Sequence, residues 1–380
     1  MLPNGEYQLD LVRRLSFIRL GGSPEELRAA RILQEEIAAL GGSSELEAFL
    51  MPWYAVRERK VEVTAPFTRT LEAMEWAFSG STPEQGIEAP LLYAEQGTEL
   101  DLRDAGGKIV LLNEMVYDNW PALLRSGALA FITTAGEYDE EPELVDLAKN
   151  HIRPHQSFFG KLPGLIIRGR DAIALLQDGA ERVRFTLVED DFERESHNVV
   201  AEIPGSDRAE EIIVFTAHYD SVPYSQGAWD NASGSADLMM LYRYFTEHRP
   251  RRTLRFVWCG SEERGLLGSK AYVQAHASEL GRFRLCINID MTGPALGFDM
   301  AHVTADASLV TALEYLSHEL GHSLTVRNDV HSSDSTPFAD AGVPAASFCR
   351  PGRAAYHCRR DLSAPLSAAA FARTQDFLRA

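Results

Sequence analysis

The sequence predicts an α/β protein: a mixed, mostly parallel sheet with helices on both faces, plus a smaller inserted domain of α+β or β-rich character. Two observations lead there. From His197 onward, short apolar runs alternate with helical stretches of about 15 residues, the pattern of a largely parallel sheet covered on both sides. Between about residues 65 and 190 the texture changes to strand-like runs with brief helical pieces between them. The expected division is a discontinuous larger domain, residues 1–64 and 190–380, interrupted by an insert over 65–189. A length of 380 residues accommodates two domains at roughly 150 residues each.

Residues 8–40 read as helix broken at Gly21-Gly22. Ser23-Pro24-Glu25-Glu26 is a helix start, with a capping hydroxyl, proline in the first turn and acids at the positive end of the dipole. Leu27, Ala30, Leu33, Ile37 and Leu40 follow at helical spacing, and Gly41-Gly42 ends the run. Residues 44–64 read as extended, closing in the strict alternation of Lys60-Val61-Glu62-Val63-Thr64. In the insert, strands are expected at 108–112, 128–133, 164–167 and 183–188, and helices at 120–126 and 170–179. The acidic patch from Glu137 to Glu143 reads as a solvated loop, and Glu189–Glu195 as a linker returning to the larger domain. Beyond it, strands are expected at 197–203, 211–217, 253–259, 283–290, 323–327 and 344–349. Helices are expected at 231–247, 265–279, 306–320 and 364–379.

Composition narrows the function. A net charge of −18 with no basic stretch disfavours nucleic acid and anionic membranes as partners. No apolar run approaches the ~20 residues of a membrane span. The first residues, Met1-Leu2-Pro3-Asn4-Gly5-Glu6, carry neither a basic nor an apolar secretory region, so the cytoplasm is the default expectation, with secretion the alternative had a leader been removed. Cys259, Cys286, Cys349 and Cys358 show no CxxC spacing. The first three lie in apolar runs and read as buried thiols, although Cys349 and Cys358 are near enough in sequence to pair.

Five side chains of metal-ligand type occur in an order suited to a two-metal hydrolase: His218, Asp230, Glu263, Asp290 and His357. His218 ends the apolar run Ile212-Ile213-Val214-Phe215, placing it at the carboxyl end of a strand, where open α/β sheets bind ligands. Asp220 follows two residues on, and a ligating histidine commonly gives its second N–H to a carboxylate. Asp230 precedes a helix, where an aspartate ordinarily serves as N-cap; a carboxylate there can also bridge two metals through its two oxygens. Glu262-Glu263 follows the strand ending at Cys259, and two adjacent acids repel each other unless cations are near. They read either as an exposed helix-capping turn or as a divided pair, Glu263 a ligand and Glu262 a general base. Asp290 closes a buried strand and needs a cationic partner, a metal or an arginine. The remaining histidines (151, 155, 248, 276, 302, 318 and 322) show no comparable carboxylate partner and read as surface or helix residues, while His331 sits in a polar loop that could border the pocket.

The pieces AHYDS (217–221), WDNASG (229–234), the glutamate pair 262–263, NIDM (288–291), SDSTPFADAGVPA (333–345) and YHCRRD (356–361) resemble the M28 family of zinc aminopeptidases. The resemblance covers residues 197–380 and extends to the N-terminal glycine-and-helix lead-in. It implies a zinc-exopeptidase-like fold and two zinc ions per chain. His218 and Asp290 would hold one, Glu263 and His357 the other, and Asp230 would bridge them. Glu262 would be the general base and Asp220 the residue orienting His218. The substrates implied are peptides with a free N-terminus. Gly107–Leu111 and Ser126–Phe131 resemble, less specifically, strands of the protease-associated domain that many relatives insert. Ser335 stands where relatives often have histidine, and Cys358 where they often have threonine or serine. Neither position is a ligand, so these departures bear on substrate preference.

Rival readings share the scaffold. A glutaminyl cyclase or a carboxypeptidase would keep the fold, and five ligands favour hydrolysis over single-metal cyclisation. A non-catalytic interaction protein with a relict site would bind metal substoichiometrically. An arginine near the pocket, Arg350 or Arg353, would suit carboxylate-bearing substrates.

Overall fold

A computed structural model describes residues 4–380 except 116, 142–144, 146, 148–150 and 153, together with the side chains of 154 and 155. The end of the acidic patch at Glu143, the Met1–Pro3 start and the His155 side chain therefore lie outside the described residues. The chain forms two compact units, residues 1–51 with 194–380, and residues 52–193.

In the first unit the sheet order is Leu324–Arg327, Asp299–Thr304, Ala345–Cys349, Phe283–Ile289, Arg208–His218, Arg252–Cys259, then residues 199–203 of the long strand Arg182–Ile203. The four strands from Ala345–Cys349 to Arg252–Cys259 are mutually parallel. Asp299–Thr304 and residues 199–203 flank them antiparallel. Alternation along the central strands sorts two cores, as a strand's period of two requires. Phe215, Ala217, Phe256 and Trp258 pack with helices Glu6–Leu15, Pro24–Ala39, Gly234–Glu247 and Ala368–Leu378. Ile212, Val214, Val257 and Cys259 pack with Tyr272 of Leu267–Ala275 and Phe338 of Thr336–Asp340. Ser23 caps the second helix as its sequence predicts, accepting the Glu26 N–H at 3.1 Å.

The second unit has four parallel strands, Ile87–Tyr93, Ile109–Leu111, Ala130–Ala135 and Gly164–Arg168. Met74–Glu75 pairs antiparallel at one side, and residues 182–185 at the other. Its core gathers Val61, Ile109, Ile132, Ile167, Leu175 and Phe185.

Several expectations are corrected. Glu189–Glu195 spans the point where the chain returns to the first unit, at 193/194, but it does so as the middle of the strand Arg182–Ile203 and not as irregular chain; most of its charged side chains are exposed, and the ladder does not require them to be apolar. Asp299–Thr304 was not foreseen, because Asp299 and His302 interrupt its apolar pattern. Three histidines do have carboxylate partners: His276 with Glu47 and Glu279, His302 with Asp329, and His322 with Asp299. His322 is buried, and tertiary packing brings these acids from elsewhere in the chain. All four cysteines are free thiols, so Cys349 and Cys358 do not pair. Among the described residues, no helix is long and apolar enough to cross a membrane.

Candidate metal centre

Four adjacent parallel strands deliver side chains to one end of the sheet. His218 is the last residue of its strand, and Cys259, its register partner, precedes the Glu262-Glu263 turn. Asp290 follows Phe283–Ile289, and His357 follows Ala345–Cys349 in the chain. Carboxyl ends of parallel strands are where open α/β sheets place ligands. Asp230 arrives on an irregular turn, 228–233, that leads into the helix Gly234–Glu247.

The five side chains converge. His218 Nε2 lies 3.1 Å from Asp230 Oδ1 and 3.5 Å from Asp290 Oδ1. His357 Nε2 lies 3.0 Å from Asp230 Oδ2 and 3.1 Å from Glu263 Oε2. One oxygen of Asp230 thus faces each histidine. Donor atoms of His218, Asp230 and Glu263 all fall within 4.8 Å of one another.

The surroundings aim these groups. Ser333 Oγ donates to Asp290 Oδ2 at 2.6 Å and itself accepts from Asn288 Nδ2 at 2.8 Å. That leaves Asp290 Oδ1 free to face inward. Asp220 sits 3.3 Å from His218 Nδ1, out of line for a hydrogen bond, and its carboxylate instead accepts the backbone N–H groups of Glu262 at 3.0 Å and Glu263 at 3.3 Å. The residues that frame the site adopt left-handed backbone: Ser261 at φ 56°, Met291 at φ 57° and His357 at φ 55°. Such conformations are costly for residues other than glycine and concentrate at functional sites.

Electrostatics show a centre short of positive charge. Burial pushes Glu262 well above the carboxylate range, and Glu263, Asp334 and Asp290 push it further against the pull of His218. Burial and the neighbouring Asp230 raise Glu263 to about 7, against the pull of His357. Burial opposes charge on His357, but its pairing with Asp230 and Glu263 prevails and lifts it to about 11. Burial likewise opposes charge on His218, and Glu262 and Asp290 outweigh it. Among the described residues, Glu263 Oε1 and Asp290 Oδ1 are buried without a hydrogen-bond partner. Buried carboxylate oxygens left unpaired beside imidazoles are the donor set a divalent cation satisfies, and N/O ligands suit zinc.

Other residues fall into place around this set. Asp334, inside the SDSTPF stretch but given no role by the sequence reading, is fully buried and raised by burial to about 7. Its signal was the acid itself, beside the serine that holds Asp290. Arg350 is buried against Asp299 at 3.0 Å and the Pro294 carbonyl, so it is committed inside the fold and not offered to a substrate. Arg353 is exposed. His331 stacks on His302 at 4.7 Å. Trp229 and Tyr356, beside Asp230 and His357, meet edge to face at 5.8 Å, with Tyr356 51% exposed.

The profile of Peptidase family M28 matches residues 198–380. Aminopeptidase YwaD of Bacillus subtilis is 27% identical over 344 residues, covering 87% of this chain and 71% of that protein. Carboxypeptidase Q of Bos taurus is 27% identical over 351 residues, covering 87% and 73%. The solved structure of a zinc aminopeptidase from Bacillus subtilis shares the fold, with TM-score 0.85 and 24% identity over 100% of this chain and 94% of that one.

Proposed function

We propose that this chain, whose residues 198–380 match the profile of Peptidase family M28, is a two-zinc aminopeptidase, removing the N-terminal residue of peptides by hydrolysis. The observation that carries the reading is the Asp230 carboxylate, whose Oδ1 faces His218 at 3.1 Å and whose Oδ2 faces His357 at 3.0 Å. His218 and Asp290 would hold one ion, Glu263 and His357 the other, and Asp230 would bridge them. When bound, zinc would polarise the scissile carbonyl and make water more acidic.

The chain's own residues do the rest. Burial raises the proton affinity of Glu262 above that of an ordinary carboxylate, the direction a general base needs. It takes a proton from the attacking water as the water oxygen bonds to the carbonyl carbon. It returns that proton to the departing nitrogen as the C–N bond breaks. Asp220 fixes the turn that carries Glu262 through the two backbone N–H groups it accepts. Residues 65–189 are read as a protease-associated-like insert, a reading supported by the separate core of their unit.

A second reading has its own support. Identity to carboxypeptidase Q equals identity to aminopeptidase YwaD, so an exopeptidase acting at the other terminus is the alternative. A panel of short peptides with free, N-acetylated or C-terminally amidated ends, assayed with and without a chelator, separates the two. Release of the first residue, blocked by acetylation and by the chelator but not by amidation, is the expected result. Release of the last residue, blocked by amidation and by the chelator but not by acetylation, establishes the carboxypeptidase. No release from any peptide removes both.

A further inference from the structure

The stretch from Tyr219 to Asp230 has His218 at one end and Asp230 at the other, yet most of it is neither helix nor strand. Its backbone groups therefore need partners from outside, because buried N–H and C=O groups must be satisfied. Two fully buried charged residues, remote in sequence, provide them.

Arg19 supplies the donors. Its Nε donates to the Tyr219 carbonyl. Nη1 donates to Gln226 at 2.5 Å, Leu15 at 2.9 Å and Phe17 at 3.1 Å, and Nη2 to Gly227 at 2.8 Å. All these acceptors are backbone carbonyls. The Arg19 backbone joins in, its N–H donating to Ser221 Oγ and its carbonyl accepting from Ser221 N, both at 3.1 Å. Gly227 permits the approach: it lies at φ 57°, and a Cβ there would stand 2.9 Å from Arg19 Nη2 and 2.6 Å from the Asp230 carbonyl.

Asp361 supplies the acceptors. Its carboxylate accepts from Trp229 N at 2.7 Å, Asp230 N at 3.2 Å and Ser225 Oγ at 3.3 Å. Asp361 lies four residues beyond His357 in the same loop. A cation thus holds the carbonyls and an anion holds the amides of one irregular segment. Breaking a buried charged group's partners is expensive, so this arrangement resists deformation.

We propose that Arg19 and Asp361 are positioning residues that together set the spacing of His218 and Asp230, and through it the zinc affinity of the centre, without touching substrate. The inference rests on the two-zinc reading. Arg19→Lys keeps the charge but cannot span carbonyls on both sides of the segment. Asp361→Asn keeps one acceptor but turns an amide NH2 towards a backbone N–H.

The test measures zinc affinity of the full-length chain by competition with a chromophoric chelator, beside thermal unfolding of the metal-free protein. Ile37→Ala, a cavity in the fully buried second-helix face, serves as the control for general destabilisation. Both positioning variants are expected to lose at least tenfold in zinc affinity, while Ile37→Ala melts lower and keeps wild-type affinity. If Arg19→Lys does not fold, Ser221→Ala, which removes the hydroxyl joining Arg19 to the segment, is expected to lose at least threefold. Wild-type affinity in the positioning variants, or an equal loss in Ile37→Ala, overturns the inference while the two-zinc reading stands. A wild-type chain that takes up no zinc overturns both.

Discussion

Asp220 accepts the backbone N–H of Glu262 at 3.0 Å, with its second oxygen 3.3 Å from the N–H of Glu263. The acid two residues beyond His218 thus holds the neighbouring strand's turn, where Ser261 already sits at φ 56°. Asp220→Asn leaves one N–H facing an amide. Activity is expected to fall about 10–100-fold, the range for residues that orient a metal site. Steady-state kinetics with zinc content measured alongside would check this; an unchanged rate would deny Asp220 that part.

Glu262→Gln removes the proposed proton acceptor and leaves the size of the side chain. Turnover is expected to drop by about 10²–10⁴-fold or more with zinc still bound. A variant that kept near-normal kcat would require another base.

His357 faces both Asp230 and Glu263. Under the two-zinc proposal, His357→Ala is expected to lower occupancy at one metal position, so that dialysed protein carries close to one zinc where the wild type is expected to carry two. Elemental analysis after dialysis reads this directly. Two tightly held ions in the variant would take His357 out of the ligand set.

Asp237 offers a pH signature away from the centre. It is fully buried, accepts from Gln375 at 3.0 Å and Gln8 at 3.3 Å, and burial raises its carboxyl to about 7. In the unfolded chain it titrates near about 3.9. The folded form therefore binds the proton more tightly, and this group's contribution is complete below about pH 4 and lost as pH rises through about 7. Asp237→Asn cannot ionise and should flatten that decline. Denaturant unfolding at pH 5 and pH 8 is expected to show the variant gaining on the wild type at the higher pH. Parallel pH profiles would mean Asp237 stays ionised in the fold.

Phe371 is fully buried in the C-terminal helix, against the same core as Trp258. Phe371→Ala is expected to cost about 3–5 kcal/mol of stability. A loss below about 1 kcal/mol, measured by denaturant unfolding, would show that the core collapses around the gap.

Residue patterning alone was enough for the class of fold and for the order of the candidate ligand side chains. Apolar runs such as Ile212–Phe215 mark buried strands because burial on both faces demands them, and a charged residue at the end of such a run marks a strand end. It could not place Glu189–Glu195 in a strand, since an exposed strand and a linker share a polar composition. It also could not show that His322 meets Asp299, or that Asp220 reaches the turn at Glu262. Least visible of all was Arg19, one of three arginines in the lead-in, whose guanidinium meets carbonyls some 200 residues away. Backbone carbonyls are the same in every residue, so no pattern of side chains records which of them a buried cation will find. Only the packing of the lead-in against the sheet decides that. Tertiary packing also decides which oxygen of Asp230 faces which histidine, because it sets the turn that carries Asp230 against the end of the His218 strand and the loop of His357.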